Sequence, residues 1–575
     1  MSEKEIRIIP SPVISGCKIY RTPKTHIPVD LFLDSNEGAE PDVQLLDELK
    51  KPGIETLRRY PKPAELEKRI AAAWGIDPGC VVVTAGADDA IERAMRSVLY
   101  SGRNMVLPVP TFEMLSRYAV LAGADVREVE WTRGPFPLDA VLAAADENTT
   151  LVPVVTPNSP TGLVATARDL EMLASEFAHA LILVDLAYVE FADEDLTLKA
   201  LEMPNAVVTR TFSKAWGLAG LRVGYALGRR EVIDWIRAAG HPYAVSNPSI
   251  LMASKAMSNE TGPRKSFIDR VRKERAELSG LLTELGAGVI PSQGNFVLTS
   301  FNDAEWMWRA LAGMGISVRI FPGNSHLENS LRISLPGNEG NFNRLKHAVE
   351  TILAPEALLF DMDDTLADVT ESYRQATVET AKFFGVSITF DDITAAKASG
   401  DANNDWELTR RLITNAGTEA TLEEVTEKFE EFYQGTDETC GMRKKEELLI
   451  DRGVLEKLAE KYTLGVVTGR PARDAMIFLD EKGIADLFSV VTTMEDGPPK
   501  PDPAPVRAAM DRLGVTRAWM LGDTPDDVRA ARAAGVLPIG TVAPADDEAV
   551  ASEAMTRAGA ATVILKPSSI KELLP

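Results

Sequence analysis

Short, nearly uninterrupted apolar runs alternate with longer amphipathic stretches along most of this chain, and no other feature restricts its fold more. Val81–Thr84, Leu151–Val155, Leu181–Val184 and Ala206–Thr209 are such runs. A strand that is apolar on both faces must be covered on both faces. A mostly parallel sheet with helices on either side meets that need. Gly86 ends the first run and turns the chain into a helix that starts near Asp88 and Asp89. The last helix of this region is predicted over Asn341 to Leu353, and Pro355 cannot extend it. A fresh apolar run begins at Ala357. The pattern therefore predicts one α/β domain over 1–355 and a second over 356–575.

The second region is interrupted. From about 371 to 448 the sequence is helical and highly charged, with no clear buried strand. Strands resume at Thr463–Val467, Val490–Thr492, Ala518–Leu521 and Leu537–Gly540. This predicts a helical insert inside the second α/β domain. A length of 575 residues is in any case too great for one compact core.

Charge and cysteine usage narrow the function classes. The formal net charge is -23 and no Lys/Arg-rich run occurs, which argues against a nucleic-acid partner. The three cysteines, Cys17, Cys80 and Cys440, form no CxxC pair, as expected for a reducing, cytoplasmic setting. No apolar stretch reaches about 18 residues, so no membrane span is expected. The segment Met1–Arg7 is charged and lacks the apolar core of a leader. The five histidines are scattered, without zinc-type spacing.

Two motif sets carry chemistry. The first centres on Ser213-Lys214, followed by Gly217, Gly220, Arg222 and Gly224. Its companions are Leu33-Asp34-Ser35-Asn36-Glu37, Arg59-Tyr60-Pro61, Ala85-Gly86-Ala87-Asp88, Pro110-Thr111-Phe112, Pro157-Asn158-Ser159-Pro160-Thr161-Gly162, Asp185-Leu186-Ala187-Tyr188 and Leu331-Arg332-Ile333-Ser334. Together they span nearly all of 1–355. This region resembles the histidinol-phosphate aminotransferases, within the class I/II aminotransferases of the pyridoxal-phosphate (PLP) transferase fold type I.

The resemblance implies PLP as cofactor. Lys214 would hold it covalently and shuttle the proton. Asp185 would pair with its ring nitrogen, Asn158 and Tyr188 with its ring oxygen, and Phe112 would stack on the ring. Ser213, Arg222 and the backbone N–H groups of Gly86 and Ala87 would cradle its phosphate. Tyr60 would reach the cofactor of a neighbouring subunit, which implies a homodimer. Arg332 would bind a substrate carboxylate through its planar fork, with Asn36 also at the substrate. Arg319 is a candidate for a substrate phosphate. Three departures leave the amino acceptor open. Phe112 stands where the family usually has tyrosine, Leu186 where it has glutamate, and the amino-terminal Leu-x-Pro-Tyr segment has no counterpart beyond the nearby Tyr20.

The second set is Phe360-Asp361-Met362-Asp363-Asp364-Thr365, Val467-Thr468-Gly469-Arg470, Pro498-Pro499-Lys500-Pro501 and Gly522-Asp523-Thr524-Pro525-Asp526-Asp527. Region 356–575 resembles the haloacid-dehalogenase-superfamily phosphatases, a Rossmann-like hydrolase fold with a helical cap. The resemblance makes Asp361 the nucleophile and Asp363 the acid/base. Thr468 and Lys500 would bind phosphate. Asp361, Asp363, Asp523 and Asp527 would surround Mg²⁺, whose preference is for carboxylate oxygen. The insert at 371–448 matches the cap, and Asp364 reads as structural.

A bifunctional enzyme follows as the expectation. It would transaminate a phosphorylated ketone such as imidazole-acetol phosphate, using a small amino donor, and hydrolyse a phosphate monoester such as histidinol phosphate. An aminotransferase or amino-acid-phosphate decarboxylase of other specificity, fused to a phosphatase for another metabolite, is the alternative. A PLP-sensing regulator would need a DNA-binding module, and no helix-turn-helix is visible.

Overall fold

The computed structural model describes residues 9–15, 17, 19–41, 44–48, 50, 53–258, 262–399 and 404–575. The segment Met1–Arg7 read for a leader lies outside the described residues, as do residues 400–403 of the insert. The chain forms two compact units that are not collinear with it. One gathers Met1–Pro23, Leu33–Ala304 and Arg319–Phe342, the other Lys24–Phe32, Glu305–Val318 and Asn343–Pro575.

The first unit is built on a seven-stranded sheet. Its order is Val81–Thr84, Gly224–Gly228, Ala206–Thr211, Leu181–Asp185, Thr149–Val155, Asn104–Val109 and Asp125–Glu130. Gly224–Gly228 runs antiparallel to both its neighbours, and the remaining pairs are parallel. Successive residues of one strand feed different cores. Ile182 and Val184 join one apolar cluster, Leu181 and Leu183 another. That division is what a strand with period-two side chains does when both faces are covered. Register then gathers the site. Asp185 lies opposite Thr209, and both Thr84 and Thr211 lie opposite Gly224. The residues that follow these strand ends emerge together, where open α/β sheets bind ligands. An antiparallel group, Gly288–Ile290, Phe296–Ser300 and Ser330–Ser334, completes this unit and places Arg332 opposite Arg319.

The second unit holds a wholly parallel six-stranded sheet. Its order is Phe488–Thr492, Thr463–Val467, Ala357–Phe360, Ala518–Gly522, Leu537–Thr541 and Thr562–Ile564. Phe360 lies level with Val466 on one side and Leu521 on the other. Asp361, Thr468 and Asp523, each just past a strand end, therefore issue from one edge. The insert opens with a π-helical turn, Thr370–Arg374, and continues through helices Gln375–Phe383, Phe390–Ser399, Asp405–Asn415 and Leu422–Gln434. A two-residue antiparallel pair, Ala367–Asp368 with Glu447–Leu448, ties its two ends. The insert has a small core of its own around Ala381, Val386, Ile413 and Val425. Trp519 of the central sheet is wholly buried. Its indole N–H donates to the Thr351 carbonyl at 2.7 Å, and its ring lies 5.6 Å from that of Trp306. Among the described residues no helix is long and apolar enough to cross a membrane.

Candidate active sites

Lys214 follows the strand Ala206–Thr211 in a loop, half-buried. Its Nζ donates to the Ser35 carbonyl at 3.4 Å and stands 5.3 Å from the centre of the Tyr188 ring. Asp185 ends the neighbouring strand, buried, and accepts from Thr209 Oγ1 at 2.9 Å. Tyr188 is also buried, and its hydroxyl accepts from Asn36 Nδ2 at 3.1 Å. Asn36 adopts a left-handed backbone (φ 52°), and its Oδ1 accepts from Ser334 Oγ at 2.7 Å. Burial alone would raise the Tyr188 phenol. The Lys214 ammonium and Arg332 guanidinium outweigh that effect and hold it below its ordinary value.

The phosphate-cradle candidates meet at the start of the helix Ala87–Val98. Gly86 precedes that helix at φ 87°, and a Cβ there would come within 2.9 Å of Arg222 Nη2. Arg222, itself left-handed at φ 47°, reaches Ser213 Oγ at 3.3 Å and Asp88 Oδ2 at 3.1 Å. Thr211 Oγ1 donates to Ser213 Oγ at 2.9 Å. Arg332 sends Nη1 to Ser159 Oγ at 3.2 Å and Nη2 to the Asp34 carbonyl at 2.7 Å, over the face of Phe296.

Three candidates are placed differently. Both amide hydrogens of Asn158 are engaged, by the Pro110 carbonyl at 2.9 Å and by Thr161 Oγ1 at 2.8 Å. Tyr60 is 74% exposed and stacks on Tyr243 with centroids 4.4 Å apart. Phe112 packs, partly buried, on the apolar cluster around Val109 and Leu115. Ser159 and Ser334 stood in quoted motifs, and Thr209 in a predicted strand, without a role read from sequence, because each acts by orienting a neighbour.

The residues fit PLP on two observations. Gly86 leaves open a cradle that a side chain would fill. Asp185 is a buried carboxyl whose pKa rises to about 7, chiefly through desolvation, which the Thr209 hydrogen bond and the Lys214 charge only partly oppose, so a further cation at this carboxyl would be favoured. The sign for stability follows. With its folded pKa raised, Asp185 contributes a stability in cofactor-free protein that is fully present below about pH 4 and is lost, up to roughly 4 kcal/mol, as pH rises toward 7. Asp185→Asn in cofactor-free protein should flatten that decline, which thermal melts between pH 4.5 and 8 would read. An unchanged slope would show that Asp185 does not cause it.

The second site is more tightly knit. Lys500 Nζ donates to Asp361 Oδ1 at 2.6 Å, to the Val467 carbonyl at 3.1 Å and to Asp527 Oδ1. Thr524 and Asp527 form a capping box that fixes the Asp527 carboxylate at its helix start. Thr468 Oγ1 accepts from the Arg470 amide at 3.1 Å. Burial raises Asp361 to about 7. Lys500 opposes the rise, and the carboxylates of Asp527 and Asp363 add to it.

Oxygens of Asp361, Asp523 and Asp527 lie within 4.8 Å of one another, and buried Asp523 Oδ2 has no hydrogen-bond partner among the described residues. Three carboxylates, two of them sharing Lys500 and the third with one oxygen orphaned, fit a hard divalent cation such as Mg²⁺. The Asp363 side chain is not in that group. It accepts instead from Arg470 Nε at 2.6 Å. Asp364, left-handed at φ 53°, is buried between Arg374 at 2.9 Å and Lys397 at 3.1 Å. Arg470, quoted in a motif but given no role from sequence, also pairs with Glu446 at 2.9 and 3.2 Å.

Comparison with known proteins agrees with this geometry. Residues 33–352 match aminotransferase class I and II, and residues 358–541 match haloacid dehalogenase-like hydrolase. A histidinol-phosphate aminotransferase of Thermoanaerobacter pseudethanolicus is 31% identical over 335 residues, 57% of this chain and 94% of that one. An imidazoleglycerol-phosphate dehydratase of Phytophthora nicotianae is 47% identical over 197 residues, but this chain spans only 44% of its length, and the match takes 33% of this chain. The solved histidinol-phosphate aminotransferase of Sinorhizobium meliloti, in complex with pyridoxal-5'-phosphate, shares the fold at a TM-score of 0.53 and 22% identity, covering 60% of this chain and 97% of that one. With more than half its length matched, the chain belongs to the class I and II aminotransferases, PLP enzymes, and carries a haloacid dehalogenase-like hydrolase domain as well.

Proposed function

We propose that the chain transaminates a phosphorylated ketone, imidazole-acetol phosphate, with a glutamate-type donor, and that it hydrolyses the phosphate ester of the resulting amine, histidinol phosphate. The observation that carries this reading is the presence, on one chain, of a lysine site for amino transfer and an aspartate site for phosphoryl transfer. These are consecutive chemistries on a single metabolite. The names of the Thermoanaerobacter and Phytophthora relatives support a place in histidine biosynthesis. Conversion in the cytoplasm by a homodimer is part of the proposal, with the exposed Tyr60–Tyr243 stack directed at a second subunit.

PLP, when bound, supplies an electron sink for the carbon that exchanges its nitrogen. The chain supplies the rest. Lys214 Nζ moves the proton. Asp185 holds the ring nitrogen protonated, and Tyr188, kept below its usual pKa, holds the ring oxygen. Asn158 must release one of its two scaffold bonds to join it. Arg222, Ser213 and the amides of Gly86 and Ala87 hold the phosphate, and Phe112 backs the ring. Arg332 takes the carboxylate of the donor with Asn36 beside it, and Arg319 across the register takes the phosphate of the ketone.

At the other site an Asp361 oxygen forms a bond to phosphorus as the ester oxygen leaves with a proton from Asp363. Water then attacks the phosphorylated aspartate, gives its proton to Asp363 and releases phosphate, so Asp361 is regenerated. Lys500 and Thr468 bind the phosphoryl oxygens. Mg²⁺ at Asp361 and Asp523, with Asp527 behind, would neutralise their charge.

The test gives the full chain glutamate and imidazole-acetol phosphate. Both 2-oxoglutarate and inorganic phosphate should accumulate. Appearance of neither would overturn the proposal.

A further inference from the structure

A cleft open to solvent lies beside Asp363. Its walls include Tyr373, Asn404, Asp405, Trp406 and Arg470. If Asp363 protonates the departing oxygen, as proposed above, the carbon skeleton of the leaving alcohol must pass this residue. The cleft is the space next to it. What lines the cleft therefore reads the alcohol.

Asp405 is the distinctive wall. It is the first residue of the helix Asp405–Asn415, but Asn404 already caps that helix by accepting from the Glu407 amide at 3.1 Å. Among the described residues the Asp405 carboxylate has no hydrogen-bond partner. Desolvation is the largest influence on it and raises it to about 6, with the Lys397 charge opposing. The nearby cations are committed elsewhere. Lys397 Nζ donates to Asp364 at 3.1 Å, and Arg470 is held by Asp363 and by both oxygens of Glu446.

The aromatic walls are fixed in place. The Trp406 indole N–H donates to Glu430 at 3.0 Å, and Tyr373 packs on Tyr433 with centroids 4.3 Å apart. A carboxylate without a hydrogen-bond partner among the described residues, on the wall of a cleft it shares with Trp406 and with Tyr373, whose ring already carries the Arg470 guanidinium at 4.8 Å, is the chemistry that recognises a compact organic cation.

We infer that this cleft receives a protonated nitrogen on the leaving alcohol, with Asp405 as its counter-charge, so that the second site selects phosphate esters of amino alcohols over neutral esters. The inference rests on the phosphatase reading above and adds to it the class of alcohol. It also has a consequence for order. Transamination places an amine where the ketone had none, so Asp405 would admit the product of the first reaction and discriminate against its precursor.

The test compares two nearly isosteric esters, 3-aminopropyl phosphate and butyl phosphate, on the full chain with Mg²⁺, reading kcat/KM for phosphate release. The wild type should favour the amine about tenfold or more, the range of a charge-assisted hydrogen bond. Asp405→Asn should bring that ratio close to one, and Asp405→Glu should restore much of it. A wild type without preference, or a preference that survives Asp405→Asn, overturns the inference while leaving the phosphatase reading intact. No release from either ester overturns the inference, and no release from histidinol phosphate as well overturns the phosphatase reading with it. An amine preference combined with inertness toward histidinol phosphate upholds the inference and overturns only that substrate.

Discussion

Replacing Lys214 by alanine should abolish transamination, by roughly 10⁴-fold or more, the scale on which catalytic groups that act as a unit fail. Lys214 Nζ has few constraints. It donates to one carbonyl, Ser35 O, and overlies one ring, that of Tyr188. Its removal therefore leaves the buried scaffold of Asp185, Thr209, Asn36 and Ser334 in place. Lys214→Arg should be equally inactive, because a guanidinium cannot give up its proton at working pH. The measurement is 2-oxoglutarate formation, together with borohydride trapping of cofactor on the protein, which should occur in the wild type and vanish in both variants. Phosphate release from an added ester should persist. Residual transamination near the wild-type rate would remove Lys214 from its assigned role.

Asp361→Asn should abolish phosphate release on a similar scale while transamination continues. Asparagine keeps the shape of the side chain but is a far weaker nucleophile. The substitution also relieves the mutual crowding of the Asp361, Asp523 and Asp527 carboxylates, and Lys500 retains Asp527 and the Val467 carbonyl. Metal-free Asp361→Asn protein should therefore melt no lower than the wild type, which separates lost chemistry from lost folding. A chelator should silence the wild-type second site in the same way, with recovery on adding Mg²⁺. Turnover by Asp361→Asn at the wild-type rate would place the nucleophile elsewhere.

The sheets and their functional edges could be read from sequence because local pattern determines them. Thr463–Val467 was expected and is found with the same bounds, and so was Val81–Thr84. Residues just past a buried strand emerge at its carboxyl end, so Asp185, Asp361, Thr468 and Asp523 could be located once their strands were known. Side-chain partnerships across long separations were not legible. Arg470 stood in a quoted motif, but its partner Asp363 is 107 residues away and Glu446 is 24 away, and no periodicity links them. Asn158 shows the same limit from the other direction. Its identity suggested a ligand contact, while its two amide bonds depend on how the Pro110 carbonyl and the Thr161 hydroxyl happen to approach.

Trp519 has a consequence for how such a gene can be divided. A fragment beginning at Glu356 would retain every hydrolase motif, yet it would lose the carbonyl of Thr351 and the ring of Trp306 that enclose this indole. A large aromatic surface would then face water at the centre of the sheet. Recombination that splits or joins these reading frames must therefore carry the helix Glu339–Leu353 with the hydrolase, although its sequence lies in the stretch that matches the aminotransferases.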